Sequence, residues 1–82
     1  MKNKEIIKYI EENSWFYSDA DEINYLSFTT RRHGNIYEEQ YGEKDLEEAY
    51  RIRKKLVVLY PELSIDIDTC DEWVNIEITP QI

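Results

Sequence analysis

Asp66, Asp68 and Glu77, with Asp71 and Glu72 between them and Glu62 just ahead, are the residues whose type and spacing invite chemistry. Clustered carboxylates can shuttle protons, hold a hard cation, or present repeated negative charge to a basic surface. The segment is a near miss to a calcium loop, with Asp66, Asp68, Cys70 and Glu77 at loop positions 1, 3, 5 and 12. Position 6, where the sharp turn wants glycine, is Asp71, and a thiol at position 5 is a poor ligand for a hard cation. No metal and no other cofactor is therefore expected.

The other reactive side chains are few. His33 is the only histidine and sits in a turn beside Arg31, Arg32 and Gly34, with no partner in sequence to hold it as a base or ligand. Cys70 is the only cysteine, so neither an internal disulfide nor a paired-cysteine zinc site can form. It lies among acidic neighbours, which disfavour the reactive thiolate. Two glycines cannot make a phosphate-cradling loop, and no nucleophile elbow or His-Glu-x-x-His motif is present. A carboxylate-only enzyme would need a pocket that a chain of 82 residues has little material to build. The residues point to a non-catalytic protein.

What matters next is which elements position those carboxylates. Leu63 to Asp68 alternates strictly between apolar and polar residues, Thr69 to Glu72 reads as a turn, and Trp73 to Thr79 alternates again before Pro80. This predicts a hairpin with Leu63, Ile65, Ile67, Val74, Ile76 and Ile78 inward. Asp66, Asp68, Asn75 and Glu77 then face water, with Trp73 beside them. Residues two apart on a strand lie about 7 Å apart, close to the step between successive phosphates of a nucleic-acid strand. A sheet face carrying carboxylates at that pitch can imitate a phosphate backbone; the plainer alternative is a solvated face made acidic for solubility.

The rest of the chain predicts the frame. A first helix runs from Lys4 to Glu12, with Asn3 as N-cap and Ile6, Ile7 and Ile10 as its apolar stripe. Trp15-Phe16-Tyr17 reads as an aromatic plug under a loop, and Ser18 to Glu22 as a turn or loop. Ile23 to Thr30 has strand composition, Arg32 to Asn35 has turn chemistry, and Ile36 to Tyr41 would be the returning strand. Gly42 opens a second helix from Glu43 to Tyr60, stopped by Pro61, with Leu46, Ala49, Ile52, Leu56 and Leu59 as its buried face. Acidic residues crowd its start and Arg51, Arg53, Lys54 and Lys55 its end, which suits the helix dipole, and Glu47 stands one turn before Arg51 as an ion-pair partner. The expected order is α-β-β-α-β-β in one domain spanning 1–82: an α+β fold with an antiparallel sheet and both helices packed on one face.

Charge narrows the class of partner. Ten basic residues against eighteen acidic ones give a net charge of −8, which opposes binding to nucleic acid or anionic lipid and favours encounter with basic surfaces. The two signs are segregated: Leu56 to Ile82 and Tyr9 to Thr30 contain no lysine or arginine. Ordinary surfaces mix both signs. The N-terminus has no unbroken apolar run, which predicts a cytoplasmic protein without a signal peptide or membrane span, in the bacterial host if the chain is phage-encoded. Seven tyrosines exceed what so small a core needs, and Tyr25, Tyr37 or Tyr41 with Trp73 can anchor a contact inside an acidic rim.

These features together predict a small acidic interaction protein that blocks a basic, nucleic-acid-handling partner, through Glu62, Asp66, Asp68, Asp71, Glu72, Trp73, Asn75 and Glu77. In size, charge and poverty of motifs it has the general look of small phage anti-defence proteins such as anti-CRISPR proteins, a likeness of character that no residue motif carries. Two other classes share parts of the pattern. An immunity protein or antitoxin against a basic nuclease would use the same electrostatics, and an assembly subunit would use free sheet edges or exposed aromatics to form a homo-oligomer, a homodimer included.

Overall fold

The computed structural model describes residues 3–34, 40–70 and 72–80. Helix α1 spans Asn3–Asn13 and buries Ile6 and Ile10 of the expected stripe, with Ile7 half-buried beside them. Its C-terminal turn is closed by side chains: Asn13 Nδ2 donates to the Tyr9 carbonyl at 2.8 Å and the Ser14 hydroxyl to that of Ile10 at 2.6 Å. These satisfy carbonyls that a helix end leaves without partners. Asn3 lies inside the helix, and its amide reaches away to Asp21 Oδ1 (3.2 Å) and to the Glu22 carbonyl (2.8 Å). It ties α1 to the first strand where an N-cap was expected.

That first strand is the main correction to the sequence reading. Ser18 to Glu22, expected as a turn, belongs to β1 (Tyr17–Glu22), which pairs antiparallel with β2 (Tyr25–Thr30) across a turn at Ile23-Asn24. Its composition is polar because it is an outermost strand, and pairing with β2 together with the polar ties from α1 overrides weak intrinsic preference. The register shifts between Ser18 and Ala20, a bulge at Asp19. Ile36 to Glu39, expected within the returning strand, lies outside the described residues; Gln40 makes an isolated bridge and Tyr41 is irregular. The element order is as expected, but the partner of β2 precedes it in the chain.

Helix α2 (Glu43–Leu59) buries Asp45, Glu48, Ala49, Ile52 and Leu56. Leu46 is half-buried and Leu59 is 52% exposed, so two residues of the expected apolar face are peripheral. The helix ends where the Tyr60 N–H bonds to the Leu56 carbonyl at 2.7 Å, just before Pro61. At its start Gly42 has φ −86° and ψ 142°, ordinary for any residue. Glycine is required there by crowding, because a Cβ would lie 2.3 Å from the carbonyl oxygen of His33.

Strands β3 (Leu63–Cys70) and β4 (Trp73–Pro80) form the second hairpin, with Thr69 and Cys70 extending β3 into the expected turn. The four strands are ordered β1-β2-β4-β3. One face of this antiparallel sheet presents Leu26, Phe28, Leu63, Ile65, Val74, Ile76 and Ile78 to Ile6 and Ile10 of α1 and to Ala49, Ile52 and Leu56 of α2. Both helices thus cover the same face, α1 toward β1 and α2 toward β3 and β4. Of the aromatic run only Phe16 enters this core; Trp15 is half-buried and Tyr17 is 46% exposed. Fully burying a side chain such as Ile52 or Phe28 contributes about 1.5–3 kcal/mol. Among the described residues no helix is long and apolar enough to cross a membrane.

Candidate functional site

Among the described residues no helix covers the opposite face of the sheet. Register places its side chains in rows: Ala20, Ser27, Glu77 and Asp66 in one, and Tyr17, Thr29, Asn75 and Asp68 in the next. Glu77 and Asp66 are direct cross-strand partners, and directly opposed residues of one face have Cβ atoms about 4.5–5.5 Å apart. Asp68 follows Asp66 along the same strand at about 7 Å. Asp66 and Asp68 are exposed and Glu77 is half-buried. Among the described residues none of the three takes part in an ion pair. Asp68 Oδ1 accepts the neighbouring Thr69 N–H at 2.8 Å.

The centre of this face is small and polar. Ser27 and Thr29 are buried although they point away from the helices, flanked by larger neighbours. The Ser27 hydroxyl donates to Asn75 Oδ1 at 3.0 Å and Thr29 Oγ1 to the Val74 carbonyl at 3.3 Å. Tyr25 stands beside Ser27 and Glu77; burial raises its hydroxyl pKa above the ordinary value, and the negative charges of Glu77 and Asp19 add to the rise. A shallow concavity of about 400 Å³ is lined by Tyr17, Asp19, Thr29, Cys70, Trp73 and Asn75. Aromatic walls, a carboxylate and an amide can hold a cationic or amphipathic group.

At the β3–β4 turn the acidic run does meet a counter-charge. Arg31, which follows β2, is ion-paired to Glu72 at 2.5 Å, and its guanidinium carbon lies 4.8 Å from the centre of the Trp73 ring. The sequence, lacking any basic residue after Lys55, gave no hint that an arginine would arrive from β2. Asp71 lies outside the described residues. Glu62 is exposed in the turn ahead of β3, at the other end of a strand that spans about 25 Å. The eight residues expected to act together are therefore spread out: Asp66, Asp68, Asn75 and Glu77 are gathered on one face, Glu72 and Trp73 are engaged with Arg31 at one end, and Glu62 stands at the other. Of the candidate tyrosines, Tyr25 borders the face, Tyr41 packs against the core, and Tyr37 lies outside the described residues.

Two carboxylates that the sequence reading passed over are buried. Asp45, 0% exposed, accepts the Trp15 indole N–H at 2.6 Å and the His33 backbone N–H at 2.9 Å. As the third residue of α2 it could have folded back onto its own helix start; instead it ties the α1–β1 connection and the segment after β2 to α2. The His33 ring packs edge-on against Trp15, with centroids 4.9 Å apart, and Arg32 lies 5.9 Å from the Trp15 ring centre. Glu48 pairs with Arg51, where Glu47 was the expected partner, and Arg51 also donates to the Asn13 carbonyl at the end of α1. The Glu48 carboxylate raises the Arg51 pKa further. Among the described residues, no three histidine, cysteine or carboxylate groups come together to hold a metal ion. Asp45 joins three segments, and Glu48 holds the Arg51 guanidinium that reaches α1.

The fold and this face define a two-layer α+β domain that shields one side of its sheet with helices and presents the other as a polar, acidic surface. Comparison with protein-family models, with curated proteins and with solved structures finds no match to this chain.

Proposed function

We propose that the domain is a non-catalytic interaction protein whose acidic sheet face occupies the nucleic-acid channel of a basic partner and blocks it. The observation that carries this reading is the set Asp66, Asp68 and Glu77, projecting from a hydrogen-bonded sheet with no basic residue drawn to them among the described residues. Like charges set directly opposite each other lower stability, so the Asp66–Glu77 pairing brings the fold no gain of its own. A partner's lysines and arginines would turn that repulsion into attraction, as they do with the phosphates of nucleic acid. Tyr17 and Trp73 beside the concavity supply the aromatic anchors that acidic residues alone lack. A phage-encoded anti-defence factor acting on a host nucleic-acid enzyme, in the manner of anti-CRISPR proteins, is the biological setting that this chemistry fits.

The test is capture by the immobilised protein, compared with the triple variant Asp66→Lys, Asp68→Lys, Glu77→Lys. A nucleic-acid-binding protein retained by the wild type should be released by competing DNA and by salt of about 0.5 M, where the Debye length falls well below 10 Å. The folded triple variant should retain none of it. Equal capture by the two proteins, or retention indifferent to DNA, would reduce the acidic strands to a wet surface.

A further inference from the structure

The side of α2 turned away from the sheet leaves apolar groups in water. Tyr50 is 54%, Val57 44% and Val58 78% exposed. β-Branched residues are weak helix formers, and here burial against the domain compensates only in part, least of all at Val58. Helical periodicity puts Glu43, Glu47, Tyr50, Lys54 and Val57 on one stripe. Charge is graded along it, acidic toward the N-terminus and basic at Lys54. Among the described residues Glu43, Glu47 and Lys54 take part in no ion pair. Glu47 and Lys54 are about 10 Å apart along their own helix and cannot satisfy each other. Beside the stripe, Glu43, Leu46, Glu47 and Tyr50 line a concavity of about 390 Å³.

We propose that this stripe is a homodimer interface in which α2 packs antiparallel against α2 of a second copy, about a two-fold axis near Tyr50. Reversing the second helix sets its Lys54 opposite Glu47 and brings its Val57 and Val58 to the concavity beside Glu43. Each contact occurs twice, as an isologous interface requires. The charge gradient selects this occupant. A parallel second helix would oppose glutamate to glutamate, and a partner of uniform charge would be attracted at one end and repelled at the other. The acidic sheet face lies on the other side of the domain, so the dimer presents two such faces outward; the inference stands on its own evidence and does not need the blocking role.

A seventeen-residue helix is about 25 Å long and about 10 Å wide with its side chains, which places the contact at the small end of specific interfaces. With a charge of −8 on each copy, association should be weak, half-complete on the order of 10–100 µM. Sedimentation equilibrium across that range at near-physiological salt reads it directly. The weight-average mass should climb from 10.0 kDa toward twice that value. Glu47→Lys and Lys54→Glu should each weaken association roughly tenfold or more, and the double exchange should restore it, with circular dichroism showing every variant folded. Tyr50→Ser should also weaken it. A mass of 10.0 kDa at all concentrations, a dimer indifferent to both single exchanges, or a double exchange that fails to restore association would each overturn the proposal.

Discussion

Replacing Asp45 with alanine should remove a large part of the domain's stability. The carboxylate is 0% exposed and accepts two hydrogen bonds, from Trp15 Nε1 at 2.6 Å and from the His33 backbone at 2.9 Å. Bonds to an ionised acceptor contribute about 1.5–3 kcal/mol each, and both donors are left without that acceptor in Asp45→Ala. The favourable placement of a negative charge in the first turn of α2 is lost as well, about 0.3–1 kcal/mol. Relief of the cost of burying a charge offsets part of this, leaving a net loss of about 2–4 kcal/mol. A domain of 82 residues has a total stability of about 4–12 kcal/mol, so this is a large fraction of it, and the melting temperature should fall by roughly 10–30 °C. Asp45→Asn keeps one carbonyl acceptor and sets an amide N–H against the other donor, so its loss should be intermediate. Urea melts of Asp45→Ala, Trp15→Phe and the double variant form a cycle, in which the two effects should be coupled by about 1–2 kcal/mol. If Asp45→Ala melts within about 0.5 kcal/mol of the wild type, or if the two changes simply add, then Asp45 does not join the elements as described.

Neutralising one member of the opposed pair on the open face should have the opposite sign. Asp66→Asn is expected to stabilise the fold by about 0.2–1 kcal/mol at low salt, by removing repulsion from Glu77, and the gain should vanish near 0.5 M salt; a salt-independent or negative change would mean that the two carboxylates do not feel each other. Gly42→Ala should lower stability by about 1–3 kcal/mol, because its Cβ would meet the His33 carbonyl oxygen at 2.3 Å and displace the segment that bonds Asp45. A wild-type denaturation midpoint for Gly42→Ala would show that the His33 segment yields freely.

Local alternation was enough to place the second hairpin and its acidic face, because the period of a strand, once one side is apolar, decides which side every residue takes. The first hairpin was not legible in the same way. Tyr17 to Glu22 carries almost no apolar signal, and it becomes a strand through pairing with β2, through the bond Asn3 donates to the Glu22 carbonyl and through the Ser18 N–H that Glu11 accepts, all of them tertiary. In α2 the information was present but outweighed by residue type. Asp45, Ala49, Ile52 and Leu56 are spaced by four, three and four, a buried stripe as regular as the one drawn through Leu46. An aspartate is not expected inside unless it is paired, and its partners, Trp15 and His33, are 30 and 12 residues away. Arg31 beside Trp73 and Glu72 is the same lesson on the candidate face: the neighbours along a chain do not reveal who arrives from the next strand.

The order β1-β2-β4-β3 leaves the two most acidic strands as the outermost ones. β1 ends the sheet with Asp19, Asp21 and Glu22 and a bulge, and β3 ends it with Asp66 and Asp68. An outermost strand offers unpaired backbone groups to any other strand, and charge or irregularity there discourages the approach. At neutral pH two such sheets would meet carboxylate to carboxylate and separate. High salt screens that protection on both sides of the sheet at once, and the alternating, regular β3 becomes the natural point for one molecule to add onto the next.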